Sequence, residues 1–221
     1  MFHLTVAYIF IYVCLGLIAL GILLLFQMKI SHNREQRNRE TYAKKHHDYF
    51  VYVQSHLQDD VELRLPPGKL KKLEKRVIQD KFIEWIEQFK GDFRLKLIEL
   101  CREAGFVDED LKALRSIRYG RRLEAAYRLG GMRAPEAVPL LQNILQKRKY
   151  SSLSIVLARS IAKAADNSED LLQMLRTLLS HGKPIHNLAA DIMLETGLDS
   201  SAILLKLLND SDSALVKVGL V

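Results

Sequence analysis

The sequence predicts an all-α protein: a single N-terminal transmembrane helix, a helical connector, then an α-solenoid of paired helices. Three observations predict it. An uncharged apolar run lies near the N-terminus, apolar residues recur at helical spacing along the rest of the chain, and a two-helix pattern repeats every 32 residues after residue 112. No stretch alternates apolar and polar residues as a half-buried strand would. The expected order is an anchor over 1–28, a basic juxtamembrane segment over 29–48, a connector over 49–111 and about three and a half helix pairs over 112–221.

Leu4 to Met28 carries no formal charge over 25 residues, about 37 Å of helix against a hydrocarbon core of about 30 Å. A cleaved signal peptide fits poorly: no Lys or Arg precedes the run, the run is too long, and no small-residue cleavage site follows. Downstream, Lys29, Arg34, Arg37, Arg39, Lys44 and Lys45 cluster within 17 residues. Such a cluster stays on the cytoplasmic side, so the N-terminus is expected outside and the body in the cytoplasm of a single-pass cell-membrane protein. The same cations can meet anionic lipid headgroups. The adjacent His46 and His47 lack the Cys or i,i+4 partner that a metal site needs.

The connector begins with an apolar patch at Tyr49, Phe50, Tyr52 and Val53, broken by Leu-Pro-Pro-Gly at 65–68. Leu70, Leu73, Val77, Ile78, Phe82, Trp85, Ile86 and Phe89 then form a stripe of helical period, a core face. Gly91 ends that pattern, and Gly105 is placed to cap the next helix. Asp108, Glu109 and Asp110 follow as helix-start acids.

Charge is uneven. The net +7 resolves into +3 over 29–50, zero over 51–116, +6 over 117–150 and −2 over 151–221. That pattern argues against a nucleic-acid binder charged along its whole length. The two cysteines, Cys14 and Cys101, lie in different segments and suit a reducing compartment, as small apolar fillers.

Residues 120–145, 153–179 and 186–208 share one design: an Ala-rich amphipathic helix, a short turn, then a Leu-rich helix. Ala126, Ala158 and Ala190 are 32 apart, as are Leu140, Leu172 and Leu204, small residues allowing close approach and leucines filling between layers. Pro135 stands where a second helix can start. The run RRLEAAYRLGGMRAPEAVPLLQNIL and the junction LLNDSDSALVKV resemble the short HEAT repeats of bacteria first named for phycobilisome lyases. The resemblance covers residues 112–221, closest in the first repeat and weakest in the second. The whole arrangement resembles bacterial membrane proteins, some of which accompany envelope glycosyltransferases. It implies a membrane-anchored cytoplasmic HEAT-repeat adaptor for protein–protein interaction. The other readings are a tethered HEAT-like enzyme of lyase type and a nucleic-acid module using a basic groove.

Catalytic motifs are not apparent: Gly130-Gly131 reads as a helix-end turn, and no G-x-S-x-G, H-E-x-x-H or C-x-x-C occurs. No catalytic residue, cofactor or metal is therefore expected. His181 and His186 flank a loop and read as solvated. On a helical wheel Arg118, Arg121, Arg122 and Arg128 fall within about 120°, opposite Gly120, Leu123, Ala126, Tyr127 and Gly130. That basic stripe is a solvated face, a contact for lipid headgroups or an acidic partner protein, with nucleic acid last for want of interleaved aromatics. The closing ALVKVGLV reads as the first helix of an unfinished pair. Either the natural chain continues past Val221 or a partner covers an exposed terminal layer of Leu215, Val218 and Leu220.

Overall fold

The structure, a computed structural model, describes residues 2–57, 63–147, 149–182 and 184–221, with the backbone alone for residues 2–11. All regular structure among these is helical, and no strand occurs. The described residues group into two compact units, one within 1–52 and 69–77, the other within 53–68 and 78–221.

In the first unit the apolar run folds into helix α1, Phe2–Lys45, about 66 Å at 1.5 Å per residue. With no Gly or Pro between Lys29 and Lys45, nothing in that stretch breaks the helix. Among the described residues it is the one helix long and apolar enough to cross a membrane, and none of its apolar window is buried in protein. Leu15, Leu17, Leu20, Leu23 and Phe26 each stand more than half exposed, a surface that water disfavours and lipid tolerates. The chain turns at His46 and continues as α2, His47–His56.

Helix α3, Lys72–Gln88, begins within this unit, and its Glu74 is buried. The carboxylate accepts from Lys45 Nζ at 2.7 Å and pairs with His46 Nε2 at 2.6 Å, while its other oxygen accepts from the Lys71 backbone N–H at 3.1 Å. Hydrogen bonds from Lys45 and His46 hold the Glu74 carboxyl down at about 2, against desolvation that opposes them. A depressed carboxylate pKa stabilises the fold above the unfolded value of 4.5, and that contribution fades as pH falls from there through about 2. Glu74→Gln is therefore expected to unfold at lower denaturant than wild type at pH 7. The gap should narrow steadily between pH 4.5 and 2 in parallel urea titrations.

The second unit continues α3 from Ile78 and adds α4, Asp92–Glu103, and α5, Phe106–Leu114. The expected stripe is its core: Ile78, Phe82, Trp85 and Ile86 are buried, with the Phe82 ring 6.0 Å from Trp85 and 6.4 Å from Phe106. Gly105 takes φ 71° and its N–H donates to the Arg102 carbonyl at 2.8 Å, the left-handed close expected of it. Cys101 is fully buried and desolvation pushes its thiol up to about 12, so it is an inert filler.

Seven helices follow: α6, Tyr119–Gly131; α7, Val138–Gln146, entered through a 3-10 turn at Pro135–Ala137; α8, Ser152–Ala164; α9, Ser168–Leu179; α10, His186–Met193; α11, Ser200–Leu208; and α12, Ser213–Gly219. Their starts follow the sequence. Asn167, Asp199 and Asp212 cap α9, α11 and α12 by accepting backbone N–H groups, and Ser151 with Ser154 forms a capping box on α8. Helix α6 packs on α8, α8 on α10 and α10 on α12, while α7 packs on α9. Side-chain ties recur at similar sequence separations: Arg102 to Glu136, Ser160 to the Ala126 carbonyl, Arg176 to Asp210, all 34 apart, and Arg159 to Glu195, 36 apart.

Gly130 and Gly131 correct the turn expected of them. Both lie inside α6 with ordinary helical backbone. A Cβ on Gly130 would stand 2.6 Å from the Ser160 Cα, and one on Gly131 2.5 Å from the Ile83 Cγ2. These glycines let α6 approach α8 and α3. The left-handed residue that ends the helix is Arg133, φ 50°, where the Ala134 N–H returns to the Leu129 carbonyl at 3.2 Å. The Arg133 guanidinium donates to the Lys163 carbonyl at the end of α8, 3.2 Å away.

Candidate functional site

The arginine stripe divides along α6. Arg118 and Arg121 are exposed at its start, without a carboxylate partner among the described residues. Arg128 is not part of that surface, which corrects the wheel reading: it is 6 % exposed and surrounded by carboxylates. Glu124 accepts from Nη2 at 3.2 Å, Asp80 lies 3.5 Å from Nε, and Asp110 lies 3.6 Å from Nη1. Asp110 is itself buried, past the first turn of α5 that holds Asp108 and Glu109, and its second oxygen accepts from Gln79 Nε2 at 2.7 Å. This buried network ties α3, α5 and α6 together. Tyr127, expected on the packed side, is exposed instead, as is Gly120.

Arg122 lies between these extremes, half-buried, with its Nε enclosed and without a hydrogen-bond partner. It lines an open cleft of about 580 Å³ between the start of α6, the end of α7 and the start of α8. Lys147, Lys149, Tyr119, Tyr150 and Ile144 form the other walls. The Tyr119 hydroxyl is fixed 2.7 Å from Ser152 Oγ. The Tyr150 ring meets His181 edge-on at 6.1 Å, and His181 is half-buried, not solvated as its loop position indicated. None of the described lining residues is acidic. The arrangement can accept negative charge, and it offers apolar and phenolic surface beside it. Sequence reading found Arg122 but missed the lysines and tyrosines, because a wheel drawn on one helix cannot show what the next two bring beside it.

The juxtamembrane cations ride on α1. Lys29, Arg34, Arg37, Lys44 and Lys45 occupy roughly half its circumference at about 100° per residue. Arg39 sits on the other side, paired with Glu35 at 3.2 Å. Lys45 divides its role between this face and Glu74.

The terminal layer also needs correcting. Leu215 and Val218 are buried, because α12 packs against α9, α10 and α11. Only Leu220, 72 % exposed, faces outward as expected. The exposed leucines nearby are Leu204, Leu205 and Leu208 on α11. Among the described residues no group of His, Cys, Asp or Glu is arranged to hold a metal. No family model, curated protein or solved structure matches this chain.

Proposed function

We propose that this protein is a membrane-anchored scaffold whose HEAT-like helix pairs bind a partner protein on the cytoplasmic side. The observation that carries the reading is the recurrence of one packing scheme: α6 on α8 on α10 on α12, with side-chain ties that join residues 34 to 36 apart. Stacked units of this kind form an α-solenoid and display a long surface without needing a catalytic residue. The basic residues after the apolar span favour a cytoplasmic body. Tethering then keeps that surface concentrated near other membrane proteins. The sequence resemblance makes an envelope glycosyltransferase or another envelope-assembly component a suitable partner. Arg118 and Arg121, exposed and free of carboxylates among the described residues, suit an acidic surface on it.

The test is chemical crosslinking and pull-down of the full chain from neutral-detergent-solubilised membranes, beside Arg118→Glu/Arg121→Glu. The wild type is expected to retain one or more membrane-associated proteins that the charge-reversed variant loses. Identical recovery by both proteins, or none by the wild type, overturns the reading.

A further inference from the structure

We propose that the cleft between α6, α7 and α8 binds a phosphate group, carried as a monoester or diphosphate on a small molecule or lipid headgroup. Three observations point there. First, Arg122, Lys147 and Lys149 converge on it without a carboxylate partner among the described residues, although several cations elsewhere in this unit are paired. Arg102, Arg128, Arg159, Arg176 and Lys206 all have acidic partners. A guanidinium whose Nε is enclosed and unbonded is an unmet donor, and a planar fork suits a phosphate oxygen pair.

Second, two of the three cations, Arg122 and Lys149, stand where helix physics disfavours them. A lysine at the end of α7 is expected on dipole grounds alone, so Lys147 by itself carries little weight. Arg121 and Arg122 in the opening of α6, and Lys149 two residues before the cap of α8, are placed at positive helix ends. Neither α6 nor α8 has an acid in its first turn to offset them. An anion seated between the two starts relieves that accumulation, with any free N–H groups directed at it.

Third, the cleft is more than a charged surface. Tyr119 is fixed by Ser152, Tyr150 rests on His181, and Ile144 adds an apolar wall, leaving about 580 Å³. That space exceeds a bare phosphate and accommodates an organic group attached to it. The proposal stands apart from the scaffold reading, since a phosphate ligand requires no protein partner.

The experiment uses the full chain in neutral detergent micelles. Isothermal titration is run with inorganic pyrophosphate at matched ionic strength, and with phosphatidic acid against phosphatidylcholine in mixed micelles. Saturable binding is expected, weakened about tenfold by Arg122→Gln and less by Lys149→Gln. The remote Lys112→Gln should leave it unchanged. Binding of pyrophosphate alone identifies a soluble ligand, of phosphatidic acid alone a headgroup, and of both the shared phosphate chemistry; each upholds the site. No saturable binding in either arm overturns it, as does binding that Arg122→Gln alters by less than about twofold. The second criterion separates the cleft from the juxtamembrane cations, which also attract anionic lipid.

Discussion

Gly130→Ala is expected to destabilise the protein by about 2 kcal/mol, although alanine is the better helix former by about 1 kcal/mol. The added methyl would stand 2.6 Å from the Ser160 Cα and 2.9 Å from its Oγ. The nearest obstacle is backbone, so a rotamer change cannot clear it. Helices α6 and α8 must separate, and the Ser160 hydroxyl then loses its 2.6 Å bond to the Ala126 carbonyl, another contribution of about 1 kcal/mol. Gly120→Ala is the contrast. It lies in the same helix with open space around it, and propensity alone should stabilise by up to about 1 kcal/mol. Urea or thermal unfolding of the two variants should move in opposite directions. Two shifts of the same sign would show that α6 does not lie against α8 at Gly130.

Arg128→Met is expected to cost about 3–5 kcal/mol, a large fraction of a typical domain's stability. The size comes from what is left behind: Asp110, buried and still bonded to Gln79, would lose the guanidinium now 3.6 Å away. The double variant Arg128→Met/Asp110→Asn tests this cause. Asn can still accept from Gln79 while removing the buried charge, so the double variant should recover most of the loss. If it is no more stable than Arg128→Met in chemical denaturation, the damage lies in lost packing.

Much of the helical order was legible because it rests on local physics. Aliphatic spacing marked the helices, and Pro-Pro-Gly and the loop glycines marked breaks. Arg128 was misassigned because a wheel collapses the length of a helix. The first turns of α6 are open, but Ala125, Ala126, Leu129, Gly130 and Gly131 are all buried, so its last turns are enclosed on every side but that of Tyr127. Small residues spread round the whole circumference were the available signal. Asp110 offered none, since its burial depends on Gln79 and Arg128, 31 residues before it and 18 after. The cleft was half legible: Arg122 belongs to a visible pattern, whereas Lys147 and Lys149 reach it through the crossing of α7 and α8.

Similar layers carry a hazard during folding, since a helix can dock one place out of order against a neighbour of the same kind. Alanine and leucine would tolerate such an exchange. Arg128 would not: shifted by one layer, it would lie enclosed without Asp80, Asp110 and Glu124, its charge stranded away from water. The ion cluster under α6 thus acts as a key that fits a single position, rejecting swapped arrangements that the surrounding hydrocarbon alone would accept.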